Sequence, residues 1–338
     1  MWLCGLLGRY AQARIKVPVE SGDAVYHCIT RVVNGERLLD EPAREVLRKQ
    51  LWQVAEFCGV QIHTYAILSN HFHVLLMVPQ RATLSDAELL RRYRRLYPTP
   101  TKFQAARLDV IEAELRSGGP EGDAWRKRQL ALMGDVSQFM KLVKQRFSIW
   151  FNNSHQRYGT LWAERFKSLL VEPTGRAIET VAAYIDLNPV RAGLVDDPKD
   201  YRFCGYGEAV AGNTDAQRGL LSLRGETDWT TAQAGYRLAL FGTAAAPRAH
   251  AASVAPESLQ QVVATGGKLP LTTLLRCRIR HFTDGAVLGS QAFVQQQLAA
   301  YRTLHHRRAR TAVRPMPALT DWGGLATLRG IRKPALAG

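Results

Sequence analysis

Residues 25–33, Val-Tyr-His-Cys-Ile-Thr-Arg-Val-Val, are dense in β-branched and aromatic side chains and run into Asn34-Gly35, which predicts a strand closed by a turn. Apolar positions then fall at Val46, Leu47, Leu51, Val54, Ala55 and Cys58, with Gly59 where a helix would stop, so residues 41–58 are expected to be helical. Residues 60–67 and 71–78 read as two extended segments that meet at Leu68-Ser69-Asn70 and end at Pro79, the pattern of a hairpin. From residue 80 to 134 the chain turns charged, with Arg91-Arg92 and Arg94-Arg95 beside Tyr93 and Tyr97, and reads as a helical insertion. Residues 137–152 set Phe139, Met140, Val143, Phe147 and Trp150 on one side of a helix, and Lys141, Lys144, Gln145 and Arg146 largely on the other. A further helix is expected from about 176 to 187, stopped near Asn188-Pro189.

Beyond residue 213 the composition shifts to Ala, Gly and Thr. Residues 243–256 read as a linker, and two helix-like stretches at 271–281 and 291–301 flank a turn at Asp284-Gly285, as in a helix-turn-helix. The expected organisation is an N-terminal arm (1–13), a main domain (14–213, with the insertion at about 80–134), a helical extension (214–301) and a basic tail (302–338). The fold class is α+β: a central, mainly antiparallel sheet with helices on one face, plus a mostly helical C-terminal extension.

Composition narrows the partners. With 338 residues, 46% of them hydrophobic, the chain can bury a core, which excludes wholesale disorder. Its 45 Lys and Arg against 29 Asp and Glu leave a net charge of +16, so a polyanion is the first partner to consider, the alternative being a solvated basic surface. Five scattered cysteines with no Cys-x-x-Cys pair argue against disulfides and zinc knuckles and fit a reducing cytosol. Neither a secretory signal nor 18 consecutive apolar residues is present, so no membrane contact is expected, and no small-molecule organic cofactor is implied.

Three groups of residues carry candidate chemistry. In His71-Phe72-His73, strand alternation puts both imidazoles on one face, about 7 Å apart at Cα, where they can grip one ion or form an ordinary packed pair. Tyr184 and Asn188 stand four apart on one helix and can approach a common point. Alternatively, Tyr184 packs a half-buried helix and Asn188 caps its end. The stretch containing Trp162, Glu164, Arg165, Phe166 and Lys167 combines rings with cations, as a single-strand-binding surface would, or places the rings in the core and the charges in water.

In this order, Tyr26-His27, Ser69-Asn70-His71-Phe72-His73, Gly159-x-x-Trp162-x-x-Arg165-Phe166-Lys167 and Tyr184-x-x-x-Asn188-Pro189-Val190-Arg191-Ala192-Gly193 resemble REP-associated tyrosine transposases, single-tyrosine members of the HUH transposases. The resemblance spans roughly residues 14–210, and residues 276–294 look like the extension of longer members. It implies an HUH-type, ferredoxin-like domain in which His71 and His73 bind Mg²⁺ or Mn²⁺, Asn188 completes the site and Tyr184 attacks DNA. The implied product is a 5′-phosphotyrosine with a free 3′-hydroxyl, and the implied substrates are single-stranded palindromic (REP) hairpins. Lys141, Lys144, Arg146, Trp162, Arg165, Lys167 and Arg191 are the candidate DNA contacts, joined by the Arg91–Arg95 cluster and the 307–314 tail. A cytoplasmic, nucleoid-associated protein is expected. Three alternatives stand beside this one: a non-catalytic hairpin-binding protein or repressor, a metal hydrolase using water, and Tyr158 as the nucleophile.

Overall fold

Strand β1 (Ala24–Arg31) takes the middle of the sheet because it is apolar on both sides; every residue of it except Arg31 is buried. The computed structural model describes residues 15–17, 22–80, 83–242, 271–275, 279–305, 312–317 and 320–329. Helix α1 (Glu41–Cys58) follows. Asp40 caps it by accepting from the Ala43 N–H, and it ends at Gly59, whose left-handed φ of 65° suits a residue without a side chain. Strands β2 (Gln61–Ile67) and β3 (His71–Val78) form the expected hairpin, closed by Leu68 N–H donating to the His71 carbonyl.

The insertion is helical: α2 (Asp86–Leu96), α3 (Lys102–Ser117) and α4 (Pro120–Leu130). Its arginine cluster is paired within the protein. Arg91 and Arg95 bridge to Glu56 of α1 and Arg94 to Glu112 of α3, which stitches helices together, while Arg92 pairs with Glu88 within α2. Then come α5 (Val136–Ser154), β4 (Lys167–Val171), α6 (Arg176–Asp186), α7 (Asn188–Arg191), α8 (Gly205–Val210), α9 (Thr214–Arg224) and α10 (Trp229–Phe241).

The C-terminal part supplies α11 (Leu271–Leu275), α12 (Arg280–Asp284), β5 (Gly285–Ser290), α13 (Gln291–His305), β6 (Arg314–Pro315) and β7 (Leu325–Arg329). The strands form one sheet in the order β2-β3-β1-β4-β5-β7-β6, antiparallel throughout except for β4 and β5, which run parallel. The α+β class with a mainly antiparallel sheet is therefore correct.

Two expectations need correction. The turn at Asp284-Gly285 does not join two helices of a helix-turn-helix; Gly285 instead opens a strand. Ala286, Val287 and Leu288 are buried, and their backbone completes the outer edge of β4, which would otherwise have no ladder. Part of the expected basic tail, Arg314 and residues 325–329, likewise enters the sheet, while the 1–13 arm, the 243–256 linker and Arg307, Arg308 and Arg310 lie outside the described residues.

The second correction concerns the sheet's faces. In the antiparallel register, Arg31 lies opposite His71 and Ile29 opposite His73, so with His27 they share one face, whereas Tyr26, Cys28 and Thr30 share the other with Phe72 and Val74. On the Phe72 side Trp162 bridges to Phe147 of α5, and Trp52 of α1 meets Tyr65 of β2; on the histidine side stands α6. Helices cover both faces, not one, because the central strands are apolar on both. Among the described residues no helix is long and apolar enough to cross a membrane.

Candidate active site

Helix α6 carries Tyr184 to the histidine face. Its end is set by Pro189, which has no N–H to give the Ile185 carbonyl. Asn188 fills that gap, its Nδ2 donating to the Ile185 and Tyr184 carbonyls at 3.0 Å each, and its Oδ1 accepts from Arg191. Asn188 thus sits in the helix junction, the capping alternative.

The two histidines of β3 and one of β1 converge. His73 is buried, and its Nδ1 lies 2.9 Å from Nε2 of the fully buried His27, the rings stacked with centroids 5.1 Å apart. His71 is half-buried beside His73, ring centroids 5.1 Å apart at 73°, and its Nδ1 lies 2.6 Å from Asn70 Oδ1. Because Asn Oδ1 can only accept, His71 Nδ1 carries a proton and, in the neutral ring, Nε2 carries the lone pair. Burial pushes the His27 imidazole down to about 3 and His73 well below the usual histidine range, so both are neutral at ordinary pH, as metal ligands must be.

Tyr184 stands edge-on to both buried rings, 6.1 Å from His73 and 6.3 Å from His27 between centroids. The sequence had placed the phenol and the imidazole pair on separate elements, and the fold brings them together. The Arg191 guanidinium lies 4.3 Å over the Tyr184 ring, and Phe282 of α12 packs edge-on at 4.9 Å with Trp322 behind it. Under this cover Tyr184 is only 1% exposed.

The residues fit a divalent cation in part. Two imidazoles on one strand face suit Mn²⁺ well and Mg²⁺ less well, with oxygens needed for the remaining positions. The Asn188 amide is bonded at the helix junction, and among the described residues no group of three or more His, Cys, Asp or Glu gathers as a complete cage. For His73 to offer Nε2, its Nδ1 must donate to His27, which makes His27 the residue that fixes the tautomer. Sequence reasoning had not singled out His27 as a site residue; a lone imidazole in an apolar strand was the signal, but only the register shows what it meets.

The candidate DNA contacts disperse. Lys141 is exposed on α5, whereas Arg146 turns to α2, donating to the Leu96 carbonyl at 2.9 Å under the Tyr97 ring. Lys144 donates to the Glu164 carbonyl at 2.7 Å. Trp162 is no stacking platform: it is 8% exposed, its ring wedged against Phe72 and Phe147 and its Nε1 donating to the Lys144 carbonyl. Arg165 is exposed, Lys167 is half-exposed, and Arg191 points inward. Tyr158 is 97% exposed in the loop after α5.

Asp186, the acid a water-activating mechanism would need, is fully buried and accepts from Thr64 Oγ1 (2.8 Å), Tyr236 Oη (2.6 Å) and the Tyr206 N–H (3.1 Å). It ties the Tyr184 helix to β2 and α10. Burial raises its carboxyl to about 6, against the lowering pull of those donors. A folded-state value above the unfolded one stabilises fully below about pH 4 and is lost as pH rises through about 6, a contribution of about 3 kcal/mol. The stability difference between wild type and Asp186→Asn, measured by urea unfolding, should therefore fall by about that amount from pH 4 to pH 7. A difference that stays flat would show that this carboxyl titrates normally.

No family model matches the chain, and no curated protein does. Among solved structures it is similar to that of the REP-associated tyrosine transposase bound to a REP hairpin, with a TM-score of 0.33 and 15% identity over 60% of this chain and 84% of that one. At that level of likeness, the chemistry rests on the site itself.

Proposed function

We propose that the chain cuts and rejoins single-stranded DNA through Tyr184, acting on palindromic hairpins of the REP type. The observation that carries the reading is the Tyr184 phenol standing against the His27–His73 pair with His71 alongside. The phenol oxygen attacks the scissile phosphorus, the P–O3′ bond breaks, and a 5′-phosphotyrosine and a 3′-hydroxyl result. Because the new ester keeps the bond energy, attack by a 3′-hydroxyl reverses the step without ATP. A divalent cation, Mg²⁺ or Mn²⁺, on Nε2 of His71 and His73 would polarise the phosphate and offset its developing charge. His27 holds the His73 tautomer, and Arg191 adds positive charge at the tyrosine ring. Phe282 must leave before a strand can reach the hydroxyl.

The burial of Tyr184 favours a second reading, a hairpin-binding protein or repressor that keeps the fold without the chemistry. Incubating labelled single-stranded hairpins with Mn²⁺ or Mg²⁺, then running denaturing gels and mapping peptides, separates the two. Transfer of label to the Tyr184 peptide supports the enzyme; retained hairpin binding with no adduct supports the binding protein. In the enzyme, His73→Ala should abolish the adduct, and His27→Phe should weaken the Mn²⁺ dependence by about 10- to 100-fold. An adduct whose yield ignores both substitutions would remove the imidazoles from the mechanism.

A further inference from the structure

At the end of β1 lies a cleft lined by Arg31, by Glu164 and Arg165 just ahead of β4 and Lys167 at its start, and by Thr283 and Asp284 at the end of α12. Its position is set by the register. Arg31 lies opposite His71, and Lys167 lies opposite Ile29, which on its other side faces His73. The cleft therefore adjoins the imidazole pair.

We propose that this cleft is a phosphodiester subsite for the nucleotide next to the scissile bond, and that Asp284 fills it until DNA arrives. The assignment rests on the strand-cutting reading of Tyr184. Three cations face two carboxylates, so the cleft is net positive, and two of the cations are guanidiniums whose paired N–H donors match the oxygens of a phosphate. Lys167 holds Asp284 at 3.5 Å and Glu164 at 3.8 Å, all three side chains nearly half exposed, and loose pairs of this kind exchange readily for a better anion.

Asp284 has a further significance: it ends the five-residue helix that sets Phe282 on Tyr184. A phosphate that displaces Asp284 from Lys167 therefore pulls at the same helix that covers the tyrosine. Occupation of the subsite and uncovering of the nucleophile are coupled through α12.

The test is fluorescence anisotropy of the full chain with labelled oligothymidylate and with hairpin oligonucleotides, titrated over salt without divalent cation so that no strand is cut. Arg31→Ala, Arg165→Ala and Lys167→Ala should each reduce the slope of log affinity against log salt by about 0.7, one single-strand phosphate contact apiece. Asp284→Asn should bind about three- to tenfold tighter. Arg218→Ala, which removes an exposed cation paired to Asp215 outside the cleft, should keep the wild-type slope. Thermal unfolding of each variant verifies that the fold survives.

Wild-type binding with unchanged slopes in all three cleft variants would overturn the subsite alone, as would an equal loss in Arg218→Ala. Unchanged affinity in Asp284→Asn would overturn the role given to Asp284. A wild-type chain that binds neither oligothymidylate nor hairpins would sink the strand-cutting reading, and the subsite with it.

Discussion

Tyr184→Phe should form no covalent DNA adduct, with strand cutting down by about 10⁴-fold or more, because the substitution deletes the attacking oxygen and keeps the ring. The ring contacts with His27, His73, Phe282 and Arg191 all survive in phenylalanine, so hairpin DNA should still bind, and the loss of stability should not exceed that of one hydrogen bond, about 1 kcal/mol. That combination distinguishes a lost nucleophile from a damaged core. Tyr158→Phe is the matched comparison. At 97% exposure Tyr158 reaches solvent more easily than Tyr184, yet it belongs to a loop and not to the helix facing the imidazoles, so its loss should leave the adduct intact. An adduct that persists in Tyr184→Phe and vanishes in Tyr158→Phe would move the chemistry to the loop.

Phe282→Ala should act in opposite directions on stability and on rate. The side chain is fully buried between Tyr184 and Trp322, and truncating a buried phenylalanine costs about 3–5 kcal/mol, so the melting temperature should fall. The same truncation removes the cover over the phenol, and adduct formation with a single-stranded hairpin should speed up at temperatures where the variant is folded. Single-turnover gels beside a thermal melt give both quantities. A slower adduct in a folded variant would mean that Phe282 assembles the site instead of closing it.

The elements set by local pattern were legible from the sequence. In β1, α1 and the β2–β3 hairpin, side-chain periodicity, the Asp40 cap and Gly59 all agree, and the structure follows them. Where a residue's role depends on a distant partner, the pattern was silent. Trp162 reads equally as a stacking ring or a core ring; Phe72 and Phe147, remote in the chain, decide for the core. Residues 285–290 are short and flanked by helices, so only the vacant edge of β4 marks them as a strand. The link between His27 and His73 needed the sheet register, since the two are 46 residues apart. Asn188 was half legible: spacing put it on the tyrosine's helix face, while the missing N–H of Pro189 is what claims its amide.

The parallel pairing of β4 with β5 has a consequence for synthesis. A ribosome finishes β4 at residue 171 long before residues 285–290 emerge, so the nascent chain carries an unpaired strand edge through the making of more than a hundred residues. Products of premature termination in that interval would expose the same edge together with an uncovered Tyr184, and should be the aggregation-prone, protease-sensitive species in an expressing cell.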